Sequence, residues 1–408
     1  LVVDRADADG AQSRGLSTGV LFMLSAVAAV AAGSLYYVQP LLSLVAGEFK
    51  TPLGVAGLLV TATQIGYVLG LSFVVPLGDL LEQRKILAAL LGASSVALFG
   101  AGLASGFGPL LAILVVMGIC AAAAQVAVPL AAHLAEPERR GRATGTVMSG
   151  LLIGILLART VSGALAQLIS WRAIFFAAAA VEVILAVLVW FSIPRIAPVT
   201  DSSYGRLLLS VVQLVRESGV LRARMALGFM SMCAFSAMWT SITFLLAGDG
   251  GTRYDFGEAA IGSFGLVGAA GALGARLVGR LADHGRARLA ATTAWLLVIA
   301  GWALLGAGMV SLTALILGLV VFDLGIQAIQ ISNQHAIYTV HPEARSRVTT
   351  AYITSYFAGG VFGSLVSGFA YQAGGWLAVC GFGAGVALLG LLLWAFVAAS
   401  EARRGVWT

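Results

Sequence analysis

Three charges in this chain sit where charge is expensive. Of the 18 acidic residues among 408, only Glu182 and Asp323 fall well inside apolar runs, and of the 24 Lys and Arg only Arg159 does. A charge at the centre of a hydrocarbon layer costs about 2.5 to 3.5 kcal/mol on insertion scales, so each needs a compensating role. Asp323 is followed by Gln327, Gln330 and Gln334 at i+4, i+7 and i+11, with Asn333 alongside. That spacing draws a polar stripe down one face of a helix, which must line a cavity or meet other polar helices. A carboxyl so placed can load a proton when its surroundings open on one side and release it when they open on the other. Asp323 is therefore the candidate for proton coupling, against the plainer alternative of a hydrogen-bonded Asp clamping a neighbouring helix. Arg159 and Glu182 lie 12 residues before and 11 after Trp171, at similar depth in consecutive segments. Either they form a buried ion pair with a structural role, or Arg159 faces the cavity. There it would bind an anionic substrate or bias the protonation of Asp323. Tyr36, Gln39, Gln125, Trp239 and Tyr356 add rings and amides suited to an amphipathic or aromatic ligand.

These residues are carried by a chain that is 60% hydrophobic and only 10% charged, a balance that no water-soluble core could hide. Apolar stretches of about 20 residues suffice to cross a bilayer core of roughly 30 Å. Twelve are expected, near 18–44, 55–76, 85–105, 109–133, 145–169, 172–193, 222–247, 258–279, 288–309, 312–338, 348–372 and 376–398. Asp323 then lies about 16 Å along the tenth, near mid-membrane. The first stretch lacks a basic leader and ends in Tyr36-Tyr37-Val38-Gln39-Pro40, so it reads as a retained helix. With the N-terminus inside, 20 of the 24 basic residues fall in cytoplasmic segments, while Lys50, Arg172 and Arg253 lie outside. The net charge of +6 is thus an orientation signal. The expected location is the bacterial inner membrane, with both termini cytoplasmic.

An internal repeat runs through the chain. At a shift of 205, Pro137-Glu138-Arg139-Arg140-Gly141-Arg142 falls on Pro342-Glu343-Ala344-Arg345-Ser346-Arg347, Gln125 on Gln330 and Trp171 on Trp376. The same shift carries the small residues Gly150, Gly154, Ala158 and Ser162 onto Ser355, Gly359, Gly363 and Ser367. Small residues every four positions let helix backbones approach closely in lipid, so the fifth and eleventh helices should be tightly packed equivalents. The organisation expected is a six-helix half over 1–193, a linker over 194–221, and a second half over 222–408. In the linker, apolar residues at 204, 207, 208, 211, 212 and 215 predict an amphipathic helix lying on the cytoplasmic membrane surface.

Helices 2 and 3 are joined by Val75-Pro76-Leu77-Gly78-Asp79-Leu80-Leu81-Glu82-Gln83-Arg84-Lys85, and helices 8 and 9 by Gly279-Arg280-Leu281-Ala282-Asp283-His284-Gly285-Arg286-Ala287-Arg288. Both resemble the signature loop of the major facilitator superfamily, and the resemblance covers the whole chain. It implies an all-α, polytopic fold of twelve helices in two pseudo-symmetric bundles, with helices 1, 4, 7 and 10 around a central cavity. It also implies a cytoplasmic latch made by Asp79 with Arg84 and, in the second copy, Asp283 with Arg288. The run from Gly150 to Arg172 resembles the fifth-helix motif of antiporters, with Ala158-Arg159 in place of its Gly-Pro pair. Tyr36 to Leu42 and Gln64-Ile65-Gly66-Tyr67 are similar to bacterial permeases grouped with drug and arabinose efflux proteins. The function implied is export of a small amphipathic molecule by alternating access coupled to proton influx, with proton-coupled import of a metabolite as the alternative.

Other classes fit poorly. His133, His284, His335 and His341 fall at helix ends, no HExxH or GxSG string occurs, and Cys120, Cys233 and Cys380 stand singly in apolar runs. No enzyme activity, metal or cofactor is expected. The expected partners are a small-molecule substrate, protons and membrane lipid, not nucleic acid, with a monomer as the working unit.

Overall fold

The computed structural model describes residues 17–195, 203–268, 287–341 and 344–403, and every regular element in them is helical. Among the described residues ten helices are long and apolar enough to cross a membrane. The first seven are α1 (Thr18–Phe49), α2 (Leu53–Val74), α3 (Gln83–Gly102), α4 (Phe107–Leu134), α5 (Pro137–Leu168), α6 (Ala173–Ser192) and α7 (Gly219–Leu246). After α8 (Glu258–Val267), beyond which residues 269–286 lie outside the described set, come α9 (Arg288–Ala307) and α10 (Leu312–Val340). The tenth long element, Arg345–Ser400, folds back at Gly374 and Gly375. Gly375 takes φ 64°, a conformation glycine adopts freely, and divides the element into α11 (345–373) and α12 (376–403). Ser17, Ser218 and Ser311 cap α1, α7 and α10 by accepting from backbone N–H groups that an apolar first turn would leave unpaired in lipid.

The small-residue stripes do what their spacing predicts. A Cβ at Gly154 would overlap the Ala29 carbonyl oxygen of α1, Gly150 faces Ser25, and Gly33 faces Ala158. After the linker the same three pairings recur. Ser355 donates to the Met225 carbonyl at 3.1 Å, while Gly359 and Gly363 lie against the Phe229 and Cys233 carbonyls of α7. The α5 positions shift by 205 and the α1 positions by 200, so one backbone-to-backbone contact has been built twice.

At one end of the bundle, helices from before and after the linker meet directly. Thr61 and Ser364 hydroxyls lie 2.9 Å apart, Gln64 donates to Ser236 at 2.7 Å, and Gly54 abuts Gly368. Beyond them Ser43 donates to the Asp249 carboxylate at 2.6 Å, while the Tyr371 hydroxyl donates to the Asp249 carbonyl at 2.8 Å. Burial holds this carboxyl above its ordinary range, against the pull of the Ser43 hydrogen bond. A carboxyl raised by closure binds its proton more tightly in the closed form, so closure gains stability as pH falls through that raised value and loses it above. Asp249→Asn is expected to favour closure at neutral pH and to flatten its pH dependence, read as distances between spin labels across this end. An unchanged pH profile in the variant would remove Asp249 from the closure.

The expected linker helix spans Tyr204–Glu217. Val211, Leu214 and Val215 pack on the protein core, Leu207 and Val211 line the mouth of a cavity, and Tyr204 donates to the Phe73 carbonyl. Part of the apolar face is thereby buried against the protein.

Candidate functional site

The site begins with a break in α1. Residues 35–38 form turns and Gln39–Leu41 a short 3-10 stretch, because Pro40 has no N–H and its ring excludes a regular helix over the preceding turn. The freed carbonyls are met by side chains: Ser162 of α5 donates to Tyr37 at 2.6 Å, and Thr243 of α7 donates to Gln39 at 2.9 Å. Irregular backbone at membrane depth persists where protein groups satisfy it. The break also turns the Gln39 side chain inward.

Arg159 of α5 is what Gln39 meets. Its Nε donates to Gln39 Oε1 at 2.6 Å, and its guanidinium lies over the Tyr36 ring at 4.5 Å and the Trp239 ring at 4.2 Å. These contacts hold the cation in place of water. Only 5% of Arg159 is exposed, and its Nη2 has no hydrogen-bond partner. Asp323 of α10 is 4% exposed, its Oδ1 has no partner among the described residues, the Arg159 charge acts on it, and the Trp239 indole N–H is directed at it. No ion pair within 4 Å joins Arg159 to Asp323 among the described residues, so two opposite charges face each other across a gap.

What brings these helices together is a set of glycines that hydropathy reading passed over. Gly262, Gly265 and Gly268 recur every three residues through the start of α8. A Cβ at Gly262 would overlap the Arg159 carbonyl, one at Gly265 would come 3.1 Å from the Arg159 Cβ, and one at Gly268 would come 2.9 Å from Asp323 Oδ2. The signal was present as small residues at close spacing, yet it says nothing about which charges the helix would touch.

Glu182 stands apart. It is fully buried among α1, α3 and α4, close to Ser94, Tyr37 and Cys120, and neither carboxylate oxygen closes a hydrogen bond. Similar depth did not make it the partner of Arg159, which turns the other way. Exchanging the two, as Arg159→Glu with Glu182→Arg, is therefore expected to leave the double variant at least as impaired in folding and transport as either single change. Recovery of folded protein in the double variant would restore the ion pair.

The polar stripe divides between neighbours. Gln330 Oε1 accepts from the Tyr356 hydroxyl at 3.0 Å, Asn333 donates to the Tyr352 hydroxyl at 3.4 Å, and Gln327 is half-buried. Gln125 donates to the Tyr67 hydroxyl at 3.1 Å and lines a cavity of about 380 Å³ that also touches Gln83, Tyr338, Arg345 and Arg347. This cavity opens at the end of the bundle rich in arginine, opposite the closed end. Tyr67 packs edge-on against Phe357 with centroids 4.6 Å apart, and Phe357 in turn against Tyr356 at 5.5 Å. Tyr356 is electrostatically coupled to both Tyr36 and Asp323. An aromatic layer thus separates the cavity from the charged centre.

The acidic members of both expected latch copies, the Asp79 side chain and Asp283, lie outside the described residues. Arg84 pairs with Glu82 at 3.0 Å, stacks over Trp190 at 5.0 Å and donates to the Trp190 carbonyl, which ties it to α6. Lys85 and Arg84 hold the Glu82 carboxyl below its ordinary range. Arg288 Nε and Nη2 have no hydrogen-bond partner among the described residues. Arg224, which the sequence placed among cytoplasmic segments, is buried within α7 over the Trp394 ring.

Residues 24–360 match the family model described as Major Facilitator Superfamily. The uncharacterized transporter YgaY of Escherichia coli O157:H7 is 42% identical over 385 residues, 93% of this chain and 95% of the relative. The probable transporter SCO4007 of Streptomyces coelicolor is 31% identical, over 93% and 87%. Among solved structures, the nucleoside transporter NupG superposes with a TM-score of 0.71 at 16% identity, covering 93% of this chain and 98% of that one. The human organic anion transporter MFSD10 superposes at 0.64 and 17%, over 92% and 98%. At such identities the two structures speak for the fold alone.

Proposed function

The chain belongs to the major facilitator superfamily of membrane transporters, and from that premise we propose that it exports a small amphipathic molecule against proton influx. Asp323 is the proton carrier of this cycle. The observation that supports the reading is the unclosed pair of buried charges, Arg159 and Asp323, on helices from opposite sides of the linker. A carboxylate held near a cation without contacting it can exchange that influence for a proton when the site is opened to the other side. The two six-helix segments, 1–193 and 222–408, rock about this centre in an inner membrane, with the arginine-rich end and both termini in the cytoplasm. The cavity then belongs to an inward-open state, and the contacts of Thr61, Gln64 and Asp249 close the outside. The resemblance to drug and arabinose efflux permeases supports export over import. The test is reconstitution in proteoliposomes under an imposed proton gradient, with a mixture of small aromatic solutes followed by mass spectrometry. Solute accumulation opposite to proton flow is expected, and co-directional flow would replace antiport with symport.

A further inference from the structure

Two buried charged atoms at the centre share one condition. Arg159 Nη2 and Asp323 Oδ1 both lack hydrogen-bond partners among the described residues, in side chains no more than 5% exposed, while the Trp239 indole N–H is directed at Asp323. Buried polar groups are ordinarily satisfied, and a charged one left open costs more than a neutral one. Here the open atoms belong to neighbouring elements and differ in kind, one donor and one acceptor. Around them stand the rings of Tyr36, Trp239 and Tyr356, and the Gln39 bond fixes the guanidinium so that its unpartnered edge stays free.

We propose that the cargo is an aromatic zwitterion of amino-acid type, whose carboxylate binds Arg159 and whose ammonium binds Asp323. The assignment rests on the transport reading above and specifies its substrate. Charge decides between the candidates. A lone anion would satisfy Arg159 but face the Asp323 carboxylate, and a lone cation would satisfy Asp323 but face the guanidinium, each in a place that excludes water. A neutral solute would leave both charges buried and unmatched. A zwitterion with adjacent charges matches both, and its ring takes a place among the aromatic side chains. The cavity of about 380 Å³ lined by Gln125, whose amide donates to Tyr67 in the aromatic layer, lies within the range for small-molecule sites and offers the approach once that layer parts. Protonating Asp323 removes the partner of the ammonium, so proton binding and cargo binding exclude each other, as exchange transport requires.

The test is equilibrium dialysis of the full chain in lipid nanodiscs against L-tryptophan, L-tyrosine and L-phenylalanine. Each is compared with its decarboxylated amine and its deaminated propionate. For at least one side chain the zwitterion should bind about ten-fold or more tighter than both single-charge analogues, the loss expected for one charge-assisted hydrogen bond. In Arg159→Gln the zwitterion and the amine should bind alike, and in Asp323→Asn the zwitterion and the propionate should bind alike. Equal or tighter binding of a single-charge analogue to the unmodified protein overturns the proposal, as does absence of binding by all three zwitterions. Neither outcome depends on a variant folding. Proton flux in proteoliposomes separates this from the transport reading. A zwitterion bound with both preferences but moving no protons would leave the ligand class standing and remove proton exchange. Proton-coupled movement of single-charge solutes would do the reverse.

Discussion

Asp323→Asn is expected to reduce gradient-driven transport to the level of empty liposomes, while cargo exchange without a gradient persists once cargo is raised about ten-fold to offset the weaker binding. Asn has nearly the volume of Asp and can still occupy the place beside Gly268 and Trp239, so the helix packing has no reason to change. What it loses is the ability to carry a proton. An alternating-access carrier whose proton site is frozen can still reorient with cargo bound, but a proton gradient has nothing to act on. The measurement is paired: uptake under an imposed gradient, and counterflow with cargo at equal total concentration on both sides. Full gradient-driven activity in the variant would make Asp323 a structural residue. Loss of both activities with intact folding, even at raised cargo concentration, would make Asp323 necessary for cargo movement itself and withdraw its assignment as the proton carrier.

The second large effect concerns stability. Gly154→Leu and Gly359→Leu are each expected to cost about 3 kcal/mol or more, the upper part of the range for overpacking, and to strip most folded protein from detergent extracts. In both cases the atom in the way is a backbone carbonyl oxygen, of Ala29 or Phe229, so a rotamer change cannot relieve the clash and two helices must separate. Gly92→Leu and Gly385→Leu are the controls, since a Cβ at either meets nothing within 4 Å. Fluorescence-detected size exclusion with a thermal ramp would read all four. Melting of the Gly154 and Gly359 variants together with the controls would show that α5 and α11 are not held by backbone contact.

The membrane helices were legible because hydropathy is a local property, summed over about 20 residues whatever surrounds them. All twelve expected segments coincide with helices in the described residues, the eighth only through its first part and the last two as one element folded at Gly375. The stripes at Gly154 and Gly359 were legible for a related reason, since a small residue every fourth position marks one face of one helix. What spacing supplies is depth and face within a helix, and it leaves open how each helix is rotated about its own axis against the others.

Rotation is where the site was decided. Arg159 and Glu182 share a depth, yet α5 turns its arginine toward Gln39, Tyr36 and Trp239 while Glu182 points into a different core. The linker helix had an apolar face legible from its spacing, and the tertiary structure set which of its residues, Val211, Leu214 and Val215, pack on the protein. The three charges that opened the sequence reading were thus determined by the chain alone, as residues too costly to be accidental. Their division into one facing pair and one isolated carboxyl came from the tertiary structure. Pro40 breaks α1, and the glycines of α8 admit that helix between Arg159 and Asp323, so contacts distant in sequence set the direction of each side chain.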